Sequence, residues 1–125
     1  MTGVVIFSVD KGENSDVDQH NRVIIETWMR DRNIRYDIGE GKYRGVPERC
    51  YVISSWSWTS RIVDLLKQAD QEAALFVNGS RSAILLYING GDQTIGKFLE
   101  VTESEAKKSQ GYTHVNGKWY IVKEV

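Results

Sequence analysis

The chain has 125 residues and a mass of 14.3 kDa, a size typical of one domain covering residues 1–125. Its 16 Lys and Arg nearly balance its 17 Asp and Glu, so the net charge of −1 supplies no field to attract a nucleic acid backbone. A hydrophobic content of 41% disfavours disorder, and no apolar run approaches the ~20 residues of a membrane span. We therefore expect a cytoplasmic domain that binds neither nucleic acids nor membranes.

Apolar spacing predicts two helices among several strands. Ile25, Trp28 and Met29 recur at helical intervals within residues 18–33. Ile62, Leu65 and Ala69 do so in a second helix whose N-cap is Ser57 or Thr59. In chain order, the predicted strands lie at 4–7, 36–45, 50–53, 73–77, 83–88 and 96–101, followed by a hairpin at 112–122 around the Asn-Gly turn dipeptide at 116–117.

The order strand, helix, strand, strand, helix, strand is the ferredoxin-like βαββαβ pattern, an α+β fold with a C-terminal β-hairpin extension. Two helices would cover one face of its antiparallel sheet. A chain of 125 residues has little left to cover the other face, so layer arguments predict self-association.

Several kinds of chemistry lack the residues they need. His20 and His114 are far apart in sequence and have no helical partner, which argues against a metal site. Cys50, the single cysteine, excludes an internal disulfide and lies in an apolar stretch that favours a core residue over a nucleophile. The chain has no GxSxG elbow and no phosphate-binding loop.

The segment from Gly41 to Glu48 is the strongest candidate for a ligand site, because it places Tyr43 and Glu48 in glycine-rich backbone before a core strand. A solvated hairpin loop is the competing interpretation. Gln71, between a helix and an apolar strand, is a second candidate, and a helix-terminal amide in solvent is its alternative. Ser8 and Asn14 are weaker candidates. Trp56 and Trp58 could stack on a base or pack in the core.

The motifs of the chain resemble those of the phage-encoded S-adenosylmethionine lyases, long described as hydrolases. The resemblance is carried by Gln71-Glu72, Gly90, Gly96-Lys97-Phe98-Leu99-Glu100-Val101, Tyr112-Thr113 and Asn116-Gly117-Lys118-Trp119-Tyr120-Ile121-Val122, with looser matches at Ser8, Asn14, His20 and Gly41-Lys42-Tyr43-Arg44. The chain departs from the family in its shorter segment between Glu48 and Gln71. Its glutamate also follows Tyr43 by five positions, which is farther than in some members.

The resemblance implies an enzyme that cleaves S-adenosylmethionine to 5′-methylthioadenosine and homoserine lactone without a cofactor or a metal. It implies a PII-like homotrimer with sites between subunits, acting in the host cytoplasm as a phage anti-restriction protein. On this interpretation Glu48 is the catalytic residue, with Glu40 as the alternative glutamate. Tyr36, Tyr43, Gln71 and Ser8 would bind the substrate.

Two functions of other classes compete with the lyase. One is a non-catalytic PII-like trimer that binds an adenine nucleotide or a host protein. The other is a small phage protein that sequesters a defence signal nucleotide. Formation of methylthioadenosine separates the lyase from both.

Overall fold

The computed structural model describes residues 2–11, 15–43, 46–57 and 60–124. Within these residues, eight strands and three helices follow one another along the chain. Their bounds are β1 (Thr2–Phe7), α1 (Ser15–Asp31), β2 (Asp37–Tyr43), β3 (Val46–Ser57), α2 (Ser60–Ala69), β4 (Ala73–Val77), β5 (Ser82–Tyr87), β6 (Asp92–Val101), α3 (Glu103–Lys108), β7 (Tyr112–Val115) and β8 (Lys118–Lys123).

The strands form a closed antiparallel barrel in the order β1-β3-β2-β7-β8-β6-β5-β4. The predicted ferredoxin-like fold, and with it the PII-like fold, is therefore wrong. The strands β4, β1, β3 and β2 do lie side by side, but they do not end in two free edges. Instead β5 pairs with β4, β7 pairs with β2, and β6 joins β5 to β8.

The prediction failed because it treated the C-terminal strands as an extension rather than as half of the sheet. The hairpin itself is confirmed: β7 pairs with β8, and Asn116 and Gly117 have φ values of 53° and 75°, as a type I′ turn requires. The outer edge of β7 pairs with β2 and the outer edge of β8 pairs with β6, and these two pairings close the barrel. The face that sequence reasoning left uncovered is thus the inside of a barrel, and the layer argument for self-association no longer holds.

Alternate residues of the strands face two different environments. On the outer face of β1, β3, β4 and β5, one buried cluster packs under α1 and α2, and it includes Val5, Tyr51, Phe76 and Leu65. On the inner face, a second cluster includes Ile6, Cys50, Val52 and Phe98. This period of two follows from the pleat of a strand, which points successive side chains to opposite sides.

The helices α1 and α2 end in the same way, each with a residue of positive φ followed by a hydrogen bond back to the last turn. Asn33, with φ of 56°, follows α1, and Ile34 N–H donates to the carbonyl of Met29 at 2.9 Å. Asp70, with φ of 52°, follows α2, and Gln71 N–H donates to the carbonyl of Leu66 at 3.0 Å. Both are Schellman-type ends that satisfy carbonyls the helix leaves free.

The segment at 103–108, which has no apolar stripe, forms α3. Thr102 caps it, because its hydroxyl accepts from Glu105 N–H at 3.2 Å, and Ala106 alone of its residues is buried. In the sequence, this helix is indicated by its capping residue and not by hydrophobic periodicity. Among the residues described, no helix is both long enough and apolar enough to cross a membrane.

Candidate active site

A cavity of about 900 Å³ opens at one end of the barrel and is lined by residues of all eight strands. The lining comes from the ends of β1, β2, β5 and β8 and from the starts of β3, β4 and β7, which meet at the same end because neighbouring strands are antiparallel. Three connections border it, at residues 8–11, 70–72 and 110–111. A cavity of this size falls in the range of small-molecule sites.

Glu48 lies in this cavity wall. Its position in β3 pairs with Gly41 in β2, and the next inward residue of β3 is Cys50. Burial raises the pKa of the Glu48 carboxyl above its ordinary value of 4.5, the Ser8 hydroxyl acts in the opposite direction, and Asp10 raises it further. A carboxylate held in a partly dry wall is suited to binding a cation, because pairing then relieves its lost hydration.

Ser8 and Gln71 line the same cavity. Ser8 Oγ donates to the carbonyl of Arg49 at 2.8 Å and accepts from Asp10 N–H at 3.1 Å, so its position is fixed from both sides. Gln71 Nε2 is buried without a hydrogen-bond partner among the described residues. A buried amide donor of this kind is costly unless a ligand accepts from it.

The other predicted residues do not join this group. Tyr36 packs on the outer face, with its hydroxyl 3.4 Å from Glu26 Oε1 and its ring edge-on to Tyr51 at 5.6 Å. Burial, followed by the nearby Glu26, raises the pKa of Tyr36. The side chain of Tyr43 lies outside the described residues, as do those of Trp56 and Trp58 and the whole of Asn14.

Glu40, the alternative glutamate, lies on the other side of the β2 strand from the cavity. It is exposed, and its Oε1 accepts from the Tyr112 hydroxyl at 2.5 Å. This hydrogen bond, together with burial, raises the pKa of Tyr112 to about 12. Since Glu40 is absent from the described lining, the structure brings Glu48 and not Glu40 together with Ser8 and Gln71.

The charges in the described lining are predominantly negative. The lining includes four acidic residues and two lysines. The acidic residues are Glu48, Asp70, Glu72 and Glu124, and the lysines are Lys11 and Lys42. Lys11 is further engaged, because its ammonium donates to the carbonyl of Asp70 and forms an ion pair with that residue's carboxylate at 3.4 Å. The Asp70 side chain is 93% exposed and Glu72 and Glu124 are exposed, so the half-buried Glu48 is the carboxylate that most favours a positively charged group in the cavity.

Aromatic surface in the cavity comes from strands that sequence reasoning had not assigned to a site. Phe98 in β6 and Tyr120 in β8 stack with ring centroids 4.8 Å apart, and both line the cavity. The sequence does contain a hint of this: β8 has an uninterrupted run of apolar residues, so both of its faces are apolar, which is typical of a strand buried on two sides. It became informative only once β6 and β8 were known to be neighbours.

Cys50 lines the cavity, but as an inert wall residue. Burial raises the pKa of its thiol to about 12, so the nucleophilic thiolate is scarce at neutral pH. The interpretation of Cys50 as a core residue is confirmed. Among the residues described, no group of three or more His, Cys, Asp or Glu side chains is arranged to hold a metal ion.

The model of the S-adenosylmethionine lyase family matches residues 5–123, which is nearly the whole barrel. The chain belongs to the S-adenosylmethionine lyase family. The family's name describes a lyase that acts on S-adenosylmethionine, so the small-molecule substrate expected from the resemblance agrees with the match. A search of curated proteins gives no match to the chain.

Proposed function

We propose that this protein cleaves S-adenosylmethionine to 5′-methylthioadenosine and L-homoserine lactone inside the barrel cavity. The observation that carries the proposal is the convergence of Ser8, Glu48 and Gln71 on one predominantly negative cavity in a chain of this family. The substrate has a sulfonium, an ammonium and one carboxylate, so its net charge is positive and complements the lining.

The reaction is an intramolecular displacement. A carboxylate oxygen of the substrate attacks its own γ-carbon, the bond from that carbon to sulfur breaks, and its electron pair neutralises the sulfonium. The thioether leaves as methylthioadenosine, and the carboxylate oxygen becomes the ring oxygen of the lactone. Both reacting groups belong to the substrate, so the proposed reaction requires no cofactor or metal.

The protein then has to fold the methionyl chain into the attacking conformation and hold it there. Ionised Glu48 pairs with the substrate's ammonium, and Gln71 donates its free amide hydrogens to a polar atom of the same chain. Fixing a near-attack geometry supplies most of the acceleration in reactions of this kind. Since opposite charges cancel in the transition state, a cavity drier than bulk water adds to the effect.

The charges of the cavity disfavour the competing function as a nucleotide binder. Adenine nucleotides and signal nucleotides carry phosphates, and the half-buried Glu48 carboxylate would repel them, whereas the exposed carboxylates of Asp70, Glu72 and Glu124 are screened by solvent. The described lining therefore suits a cationic adenosyl compound better than a phosphorylated one.

The decisive experiment incubates the purified protein with S-adenosylmethionine and measures methylthioadenosine and homoserine lactone by chromatography. We expect product well above the spontaneous background. Glu48→Gln removes the charge at nearly constant shape and should reduce the rate by two orders of magnitude or more, about the loss expected when an essential positioning contact is removed. Product at background level from the wild-type protein would contradict the proposal.

Glu40→Gln is the matched control. It makes the same chemical change one strand away, on the face outside the cavity, and should keep most of the activity. If Glu40→Gln were inactive and Glu48→Gln active, Glu40 would be the catalytic glutamate and the site assignment would be wrong. Binding of S-adenosylmethionine without turnover would favour a non-catalytic binding protein.

The biological role and the assembly remain as the resemblance implies them. We propose a phage anti-restriction enzyme that depletes the methyl donor in the host cytoplasm, and a homotrimer, to be tested by light scattering at about three times the chain mass. One chain by itself places Ser8, Glu48 and Gln71 around the cavity. An interface between subunits is therefore not needed to bring these three residues together.

A further inference from the structure

Beyond the end of the backbone pairing between β1 and β3, side-chain hydrogen bonds connect the two segments. The last paired residues are Phe7 and Tyr51. Beyond them, Ser8 Oγ donates to the carbonyl of Arg49, and Arg49 N–H donates to Asp10 Oδ2 at 3.1 Å. Both polar groups of the Arg49 backbone, next to Glu48 in the chain, are thus held by side chains of one short segment.

Asp10 is itself firmly anchored. It is 7% exposed, and Arg22 in α1 donates to both of its oxygens, from Nε at 2.9 Å and from Nη2 at 2.5 Å. A buried carboxylate that accepts two N–H groups from one guanidinium and a third from the backbone is held in one orientation. The hydrogen bond to Asp10 raises the pKa of Arg22, as expected for such a pair.

The same helix holds β3 at a second point, one turn further along. Glu26 Oε2 accepts from the Tyr51 hydroxyl at 2.6 Å and lies 3.4 Å from Arg49 Nη1. Residues 49 and 51 point outward to these partners, so residues 48 and 50 point inward to the cavity. The outward contacts therefore fix the direction of the Glu48 side chain.

We propose that Asp10, held by Arg22, is a positioning residue that sets the orientation and the charge state of Glu48 in the cavity. The proposal deepens the proposed function and rests on it for its catalytic consequence. Asp10 is not among the described residues that line the cavity. It acts through the Arg49 backbone and through its own charge.

The charges around Glu48 come from several elements. Asp10 precedes α1, Asp18 and Arg22 lie on α1, and both carboxylates raise the Glu48 pKa. The remaining charged residues of the described cavity lining are Lys11, Lys42, Asp70, Glu72 and Glu124. Removing the Asp10 charge should lower the Glu48 pKa, and removing the Arg22 charge should raise it, because Asp10 would then act uncompensated.

The test follows the titration of the Glu48 side-chain carboxyl by carbon-13 NMR in the wild type, Asp10→Asn and Arg22→Met, alongside methylthioadenosine formation against pH. We expect the Glu48 midpoint to move down in Asp10→Asn and up in Arg22→Met, and the acid limb of kcat/KM, which reports the free enzyme, to move with it. We also expect kcat to fall roughly tenfold in Asp10→Asn, as for a small loss of alignment. Arg22→Lys should restore the midpoint to near the wild-type value.

Asp37→Asn is the matched control. It removes the same charge at the start of β2, where Asp37 accepts from the exposed Asn116 side chain and lies outside the described cavity lining. It should leave the Glu48 midpoint unchanged. An unmoved Glu48 midpoint in Asp10→Asn would overturn the effect of Asp10 on the charge state, and an unchanged kcat would overturn its effect on the orientation. If the midpoint moves in Asp10→Asn but the wild type forms no methylthioadenosine, the proposed function is refuted and the electrostatic link between Asp10 and Glu48 stays in place.

Discussion

The two faces of β3 and β4 show how one strand can serve two purposes. The outward residues Tyr51 and Phe76 are fully buried under α1 and α2 in a continuous apolar cluster. The inward residues Cys50 and Leu75 line a cavity of about 900 Å³. Because successive residues of a strand point to opposite sides, the surroundings change from the outer cluster to the cavity over one residue, a rise of about 3.4 Å.

The difference indicates where stability and function are located. The outer face is close-packed, so its residues contribute to the free energy of folding through burial and dispersion. The inner face leaves room for a ligand and contains groups that folding alone disfavours, including the Glu48 carboxylate and the Gln71 amide, which has no partner among the described residues. Substitutions at neighbouring positions should therefore have unlike effects.

The largest contrast is expected between Phe76→Ala and Leu75→Ala. Phe76 is 0% exposed in the outer cluster, and its truncation should lower the free energy of unfolding by about 3–5 kcal/mol. Leu75 already borders open space, so its truncation should cost less than about 2 kcal/mol and raise the KM for S-adenosylmethionine instead. Urea unfolding and steady-state kinetics measure the two effects. Equal losses of stability at the two positions would show that the inner face is packed as tightly as the outer.

A smaller contrast is expected between two glycines of β2. A Cβ on Gly39 would lie 2.5 Å from the carbonyl oxygen of His114, whereas a Cβ on Gly41 would meet its nearest atom, in Cys50, at 3.6 Å. Gly39→Ala should therefore lower the stability by about 1–3 kcal/mol through strain. Gly41→Ala should change it by less than about 1 kcal/mol, since 3.6 Å is an ordinary contact.

Thermal unfolding measures these changes, and Gly41→Leu extends the comparison to function. The larger side chain would project toward Cys50 and fill part of the cavity, so turnover of S-adenosylmethionine should fall while the protein stays folded. A Gly39→Ala variant as stable as the wild type would mean that β2 and β7 separate more easily than their pairing indicates.

Local structure was readable from the sequence, but the closure of the sheet was not. The helical spacing of Ile25 and Met29 predicted α1, and the Asn116-Gly117 dipeptide predicted the last turn, because both signals come from neighbouring residues. The pairing of β7 with β2 joins His114 to Glu40 across most of the chain. Nothing local encodes such a pairing, so half of a barrel was mistaken for an extension.

The candidate site was likewise predicted in part: three of its proposed residues line the cavity, and Tyr36 does not. Glu48, Gln71 and Ser8 stood out as polar residues beside apolar strands, and the structure brings these three together. Tyr36 was implied only by the family resemblance, and the structure turns it outward to Glu26 just before β2 begins. The choice between inward and outward depends on the register of the strand, and a shift of one residue reverses it.

The smallest expected effect is on stability at the Glu48 position, and it tests whether the cavity wall is costly to the fold. Burial raises the Glu48 pKa above 4.5, so the folded state binds its proton more tightly than the unfolded state does. Stability from this group is then fully present below 4.5 and declines as the pH rises through the folded-state pKa. Glu48→Gln, which cannot ionise, should be slightly more stable than the wild type at neutral pH, by less than about 1 kcal/mol.

The gain should disappear below the ordinary pKa of 4.5, where the wild-type carboxyl is also neutral. Urea unfolding of both proteins at the two pH values measures it. Glu40→Gln is again the control, since Glu40 is exposed and accepts from Tyr112, so its replacement should bring no gain at either pH. If Glu48→Gln were stabilised equally at both pH values, the cause would be shape rather than charge. A gain confined to neutral pH, joined to lost activity, would show that the inner face keeps a destabilising charge because the reaction needs it.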